Sequence, residues 1–462
     1  MQLGSVAIFS RLLPPADFGL LAMATIITNF ANLLRDMGTS AALIQRENLS
    51  GELIDTVFWS NIGFGFVLMV LVAGGSPVAA LAFREPRLTG VLLALALVFP
   101  IASAGAPHLA LLEREGRFRV LATLEIISAA LGLSAALLAA LSGLGVYSLV
   151  LQTIVGATFS TAQLWIASSW RPRFRWHHHE FRGIRKFSGN IVAFSVINYF
   201  VRNGDTILIG RFLSVAELGW YSIAMRFLLF PVQSFAWLLN RALLPIYSRQ
   251  QSDPARLAAT YLRTLTMIAG CSAPLMFGLT ALRTPFVETI LGGKWLAVAP
   301  LLLWLAPTGF LQSLGSTTGS VLIARGRTDL MRRFGVLNSV VVVVGFLVGV
   351  HFGILGVAKA YFITTIFTTF VWLHVTLSEI GSNLMVLARN IVPPIALATI
   401  MASWVAACEQ ITVRAFGPGV PVLAILSLMG VIIYVAEIRL LRPALFYEFV
   451  AVLSRQRRST VQ

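Results

Sequence analysis

Polar side chains recur inside the apolar segments of this sequence at steps of three and four residues. The second segment carries Thr25, Asn29, Asn32, Asp36 and Ser40 at this spacing. Residues spaced in this way lie on one face of an α-helix. Because an ionised side chain at the centre of a bilayer costs at least about 2.5 kcal/mol, such a face is expected to line a wet cavity or to meet a partner.

Two later segments repeat the pattern and include arginines. Segment seven carries Asn190, Asn198, Arg202 and Asp205, and segment eight carries Ser222, Arg226, Gln233 and Asn240, with Arg241 close by. A planar guanidinium group suits phosphate oxygens, and amides suit sugar hydroxyls. The arginines Arg202 and Arg226 are therefore predicted to hold a diphosphate head group. The residues predicted to complete the substrate site are the amides Asn198, Gln233, Asn29 and Asn32.

A structural interpretation of the same residues stays open. Arg202 and Asp205 are three residues apart and can neutralise each other, while the amides can bond between helices. Arg35 and Arg241 lie nearer segment ends and can snorkel to the interface. For ion coupling, the carboxylates Asp36 and Asp205 are predicted to bind a proton or a sodium ion, since both lie near amides in a low-dielectric region.

The composition places these segments in a membrane. Of the 462 residues, 57% are hydrophobic and only 12% are charged, whereas about a quarter are charged in a soluble domain. Apolar runs of roughly 20 residues, long enough to cross a bilayer, recur along almost the whole length. The sequence therefore predicts an all-α integral membrane protein with about 14 transmembrane helices.

The formal net charge is +16, and the Lys and Arg residues behind it are concentrated in every second hydrophilic break. One alternate set of breaks carries 23 of the 35 Lys and Arg residues, and the other set carries 7. By the positive-inside rule the first set, which includes the C-terminal tail, faces the cytoplasm. The basic residues thus indicate topology, and nucleic acid is not expected as a partner.

An internal repeat relates the two halves of the chain. Arg11–Ala24 (RLLPPADFGLLAMA) matches Arg211–Ala224 (RFLSVAELGWYSIA), and Ser103–Arg117 matches Ser313–Arg327 at nearly the same shift. The shift spans an even number of segments, which predicts two six-helix lobes as parallel repeats. The predicted parts are an N-lobe at 1–170, an interlobe loop at 171–186, a C-lobe at 187–378, two trailing helices at 388–440 and a cytoplasmic tail at 441–462. The first helix is expected to lack roughly fourteen residues by comparison with the second copy.

Other residue types argue against an enzyme or a metalloprotein. His177–His179 are consecutive on a basic loop and are not accompanied by clustered carboxylates or cysteines, so a metal site is not predicted. Cys271 and Cys408 each lie in an apolar run. Neither a phosphate-binding glycine loop nor a pair of catalytic carboxylates stands out. The sequence predicts no cofactor and no catalytic activity.

Several motifs, in order, resemble one transporter family. They include SRLLPPADFGLLAMA, RDMGTSAALIQRENLS, LLEREGRFRVLATLEIIS, NYFVRNGDTILIGRFLSVAELGWYSIAMRFLLFPVQ and GGKWLAVAPLL, and the similarity runs from residue 8 to about 395. They resemble the polysaccharide-transporter branch of the multidrug/oligosaccharidyl-lipid/polysaccharide flippase superfamily.

The resemblance implies fourteen helices in two lobes, alternating access, and export of undecaprenyl-diphosphate-linked repeat units across a bacterial inner membrane for exopolysaccharide, O-antigen or capsule. Its partners would be the lipid-linked oligosaccharide, membrane lipids, and a polysaccharide polymerase with export machinery. The family's first helix would begin well before Met1, so this chain departs from the pattern there.

Two other functions remain as alternatives. A multidrug/cation antiporter of the same superfamily would be expected to use acidic cavity residues for cationic drugs, and the arginine-bearing stripes argue against it. A polytopic glycosyltransferase or ligase would need a sizeable aqueous loop with catalytic carboxylates. The longest break before the tail is under about 20 residues, which is the size of an ordinary connector.

Overall fold

All the regular structure described for this chain is helical. The computed structural model describes residues 2–36, 43, 49–174, 199–200, 202–417 and 419–442, without the side chains of residues 2, 3, 36 and 230–242. The first helices are α1 (Gln2–Leu12), α2 (Pro15–Asp36), α3 (Gly51–Phe83), α4 (Arg87–Ala96), α5 (Val98–Arg114), α6 (Phe118–Leu141), α7 (Val146–Ala167) and α8 (Gly204–Phe212). The later helices are α9 (Val215–Arg249), α10 (Pro254–Ala281), α11 (Arg283–Phe286), α12 (Val298–Gly315), α13 (Thr318–Ala324), α14 (Thr328–Gly349), α15 (Gly353–Glu379), α16 (Leu384–Phe416) and α17 (Val420–Leu441).

Ten stretches of the described chain are long and apolar enough to cross a membrane. One of them, Thr328–Glu379, contains both α14 and α15. An α-helix bonds all its backbone groups internally, which is why a chain without water around it adopts this structure. The predicted all-helical membrane architecture therefore holds for the described residues, while the predicted number of fourteen spans stays a prediction.

The chain folds into two compact units, Met1–Ser222 and Ile223–Gln462. In the first unit, α6 packs on α7, α3 packs on α4 and α5, and α2 contacts α3, α4, α7 and α8. In the second unit, α10 packs on α12, α16 and α17, and α15 packs on α12 and α14. The lobe boundaries given by the sequence repeat stay a prediction. Residues 175–186 of the predicted loop and 443–462 of the predicted tail lie outside the described residues.

Side-chain caps fix where three of the long helices begin. The Ser50 hydroxyl accepts a bond from the Leu53 amide, the Asp253 carboxylate from the Arg256 amide, and the Asn383 side chain from the Val386 amide. Each cap satisfies one of the four free N–H groups that open a helix. All three caps lie in breaks that the charge pattern assigns to the cytoplasm.

At two of the prolines inside the long helices, a side chain bonds the backbone carbonyl that proline leaves without its usual donor. Pro77 in α3 has no N–H for the Ala73 carbonyl, and the Ser76 hydroxyl donates to that oxygen at 2.7 Å. Pro274 in α10 likewise has no N–H for the Gly270 carbonyl. There the Tyr434 hydroxyl of α17 donates at 2.9 Å. In both helices a side chain replaces the bond that proline removes.

We expect Tyr434→Phe to destabilise the second unit by about 1–3 kcal/mol, because it leaves the Gly270 carbonyl buried without a donor. The measurement is thermal unfolding of the detergent-purified protein. In a Pro274→Ala background, residue 274 regains an N–H for the same carbonyl, so Tyr434→Phe should then cost much less. An equal cost in both backgrounds would show that the hydroxyl does not compensate for Pro274.

The matched halves of the sequence repeat meet at one close crossing. A Cβ atom added to Gly19 of α2 would overlap the Val215 carbonyl of α9, and one added to Gly219 would overlap the Pro15 carbonyl. Gly19 and Gly219 are paired by the 200-residue shift, as are Pro15 and Val215. Each copy thus presents the same two repeat positions to the other, as expected for two elements related by a twofold axis.

Candidate functional site

Asp205 is a buried carboxylate with three hydrogen-bond donors. It lies in the first turn of α8, and 6% of its surface is exposed. The Thr206 amide and hydroxyl donate to Oδ1 at 2.6 and 3.1 Å, and the Tyr221 hydroxyl donates to Oδ2 at 2.9 Å. Buried polar groups are costly unless they are bonded in this way. Asp205 therefore ties α8 to the second turn of α9.

Arg202 lies three residues before Asp205, and its side chain is exposed. Within the described residues, it is not a bonding partner of Asp205, whose carboxylate is held by Thr206 and Tyr221. In the described structure, Asp205 is therefore bonded by Thr206 and Tyr221 and not neutralised by Arg202, which was the structural interpretation of the sequence.

The polar stripe of α2 lies beside the chain segment that leads to Arg202. The Phe30 ring is 5.6 Å from the Tyr199 ring and 5.2 Å from the Phe200 ring, and the Tyr199 hydroxyl donates to the Ile26 carbonyl at 2.6 Å. On α2, Asn29 is exposed and Asn32 is half-buried. The first unit therefore brings the neighbourhoods of Asn29, Asn32 and Arg202 together.

Arg226 lies within α9, eleven residues after Val215, and thus roughly 16 Å along the helix axis. Its side chain is exposed, yet surrounding protein atoms remove part of its solvation. A cation this far along a helix that crosses a membrane requires water or an anionic partner.

Three predicted site residues cannot be placed fully. Asn198 lies outside the described residues, and so do the side chains of Asp36 and Gln233, although their backbones belong to α2 and α9. Their assignment to substrate binding and to ion coupling therefore stays a prediction.

A further polar and aromatic cluster lies in the second unit. Lys359 of α15 is exposed and stands 5.5 Å from the ring centre of Trp304 in α12, which also contacts Phe362 at 5.7 Å. Close by in sequence, the Gln312 amide donates to the Tyr361 hydroxyl at 2.5 Å. A cation over an aromatic face is a favourable pair. The sequence signal for this cluster was a lone lysine inside an apolar segment, which by itself did not reveal its aromatic neighbours.

Comparison with known proteins identifies the family. The profile described as "Polysaccharide biosynthesis protein" matches residues 8–300. The chain belongs to this family. The relationship predicted from the motifs is confirmed, and with it the all-helical, multi-pass membrane fold.

Three known proteins illustrate the similarity to the polysaccharide biosynthesis family. The chain is 30% identical to the teichuronic acid biosynthesis protein TuaB of Bacillus subtilis over 66% of its own length and 63% of that protein. It is 25% identical to the lipopolysaccharide biosynthesis protein WzxC of Escherichia coli over 80% of its length and 76% of that protein. A solved structure of the lipid II flippase MurJ covers 96% of the chain, with all of MurJ matched, at a TM-score of 0.73 and 16% identity. At 16% identity, the similarity to MurJ is evidence for the fold alone.

We expect Tyr221→Phe to destabilise the protein by about 1–3 kcal/mol, since it withdraws a donor from a buried carboxylate. The effect should shrink in an Asp205→Asn background, because the two residues act on each other. Thermal unfolding of the four proteins measures this coupling. Tyr147→Phe, which changes a tyrosine that is 45% exposed, is the matched control. A cost for Tyr221→Phe that is independent of residue 205 would contradict the assignment.

Proposed function

We propose that this protein is a flippase that moves diphosphate-linked oligosaccharide repeat units across a bacterial inner membrane by alternating access. The observation that carries the proposal is Arg226, an exposed arginine deep within a bilayer-length helix of a polysaccharide biosynthesis family member. Such a residue marks a path for an anion. The relatives named for teichuronic acid and lipopolysaccharide biosynthesis, and the lipid II flippase that shares the fold, support this substrate class.

The chemistry of the substrate matches the residues along the path. A diphosphate cannot cross about 30 Å of hydrocarbon unaided, and the guanidinium groups of Arg202 and Arg226 offer it charge-assisted, bidentate hydrogen bonds. The amides of Asn29 and Asn32, together with Asn198 and Gln233, suit the hydroxyls of the sugars. The prenyl chain stays in lipid throughout.

The orientation follows from the charge pattern. The breaks rich in Lys and Arg face the cytoplasm, and so does the C-terminus. The substrate then enters from the cytoplasmic side, where lipid-linked sugars are assembled, and leaves on the outer side, where a polymerase and export machinery would take it up. On this proposal the protein makes and breaks no covalent bond, so it is not an enzyme.

We expect Arg202→Ala and Arg226→Ala each to lower the transport rate by about tenfold, because a hydrogen bond to a charged group contributes about 1.5–3 kcal/mol. Lysine at either position should restore only part of the rate, since it lacks the planar fork. The assay follows a fluorescent diphosphate-linked oligosaccharide across reconstituted vesicles with matched protein amounts. Arg119→Ala, which removes an exposed arginine at the start of α6, should leave the rate unchanged. Full activity of the double variant at 202 and 226 would reject these arginines as the head-group site.

Ion coupling gives a separate expectation for Asp36 and Asp205. If either carboxylate carries the driving proton or sodium ion, its replacement by Asn should make transport insensitive to the corresponding gradient. The measurement is the transport rate in vesicles with an imposed pH or sodium gradient. Parental rates with unchanged ion dependence in both variants would exclude both residues as the coupling site.

A multidrug antiporter is separated from the flippase by the same vesicles. An antiporter would move a cationic drug against a proton or sodium gradient and would leave the lipid-linked oligosaccharide in place. The flippase would move the lipid-linked oligosaccharide and would leave the cationic drug in place, because its arginines repel a cation.

A further inference from the structure

The crossing of α2 and α9 depends on two glycines that leave no room for any side chain. A Cβ atom on either Gly19 or Gly219 would meet backbone oxygen, which cannot rotate away as the end of a side chain can. At this separation the Cα hydrogens of a glycine lie against the opposing carbonyl, in the manner of close helix pairs in membranes. The contact is reciprocal and uses residues paired by the sequence repeat.

The strength of such a contact suits a joint that opens. A Cα–H···O contact contributes about 0.5–1 kcal/mol, so the reciprocal pair holds the helices together without a large barrier to their separation. Neither glycine is ionised or has a side-chain hydrogen bond to break. Backbones that meet face to face in this way also exclude water between them.

The position of the crossing matters as much as its strength. Gly19 and Gly219 lie one turn into helices that begin at Pro15 and Val215, just after the breaks that the charge pattern assigns to the outer side. The predicted substrate residues lie further along the same helices. Asn29 is ten residues beyond Gly19, roughly 15 Å, and Arg226 is seven residues beyond Gly219, roughly 10 Å. The crossing therefore stands between these residues and the outer surface.

We infer that the Gly19–Gly219 crossing is the outer closure of the transport path and that α2 and α9 separate there when the substrate is released. The inference rests on the proposed function and its orientation. It assigns the two glycines a role that any larger residue would abolish: they let the two repeats seal against each other backbone to backbone.

The first test locks the crossing. Ala22 and Ser222 follow the two glycines by three residues on the same helix faces, and both become Cys in a chain with Cys271→Ala and Cys408→Ala. A short thiol cross-linker should join them, and the joined protein should lose at least about tenfold of its transport rate, since it cannot reach the outward-open state. Cleavage of a reducible linker should restore the rate.

A second cysteine pair controls for cross-linking as such. Ser128 of α6 and Gln163 of α7 are hydrogen-bonded at 2.8 Å in one helical hairpin, and joining them should leave transport unchanged. Full transport by the protein joined at 22 and 222 would overturn the inference, because the crossing would then be a permanent packing contact.

The second test needs no substrate. Gly19→Ala or Gly219→Ala, made singly in the 22/222 cysteine protein, should each lower the cross-linking yield by about tenfold, a shift of about 1.4 kcal/mol toward the separated state. Gly63→Ala adds a methyl group where no atom lies within 4 Å and should leave the yield unchanged. Equal yields in all three variants would overturn the inference, provided that each elutes as a folded protein in size-exclusion chromatography.

The two tests separate this inference from the proposed function. If the unlinked protein moved no diphosphate-linked oligosaccharide, the proposed substrate would be wrong, while the yields of the glycine variants would still decide whether the two glycines hold the crossing closed. If the unlinked protein transports and the yields do not respond, the closure lies elsewhere.

Discussion

The interior of a lipid bilayer offers no water to a polar group, so every such group within the membrane needs a partner from the protein or a path to solvent. The described helices meet this constraint in their backbones, and at Pro77 and Pro274 a side chain supplies the missing donor. Pro274 leaves the Gly270 carbonyl without a donor, and Tyr434 supplies one from another helix. Because the partner comes from α17, this bond links the trailing helix to α10.

The same constraint applies to the ionisable side chains of α8, of α9 and of the segment before α8. Asp205 is enclosed by Thr206 and Tyr221, and its carboxylate organises the junction of α8 and α9. Arg202 and Arg226 are exposed. Asp205 is thus buried with bonded partners, whereas the two arginines that the proposed function assigns to an anionic substrate are exposed.

The sequence predicted much of the architecture because apolar length and charge alternation are local signals. The helical class, the family and the pairing of Gly19 with Gly219 all followed from it. It did not reveal that these two glycines touch each other, since a repeat says which residues are equivalent and not which are in contact. Nor did it connect Tyr221 to Asp205 or Tyr434 to Gly270, because such bonds depend on how helices far apart in sequence are oriented.

The central claim is that the path through this protein accepts an anionic lipid-linked oligosaccharide. Its most direct measurement compares two fluorescent prenyl-linked oligosaccharides with identical sugars, one joined through a diphosphate and one through a neutral linker, in vesicles containing the purified parental protein. The account predicts protein-dependent movement of the diphosphate compound, with the neutral compound moving at the rate seen in protein-free vesicles. Equal movement of both compounds, or movement of neither, would contradict it.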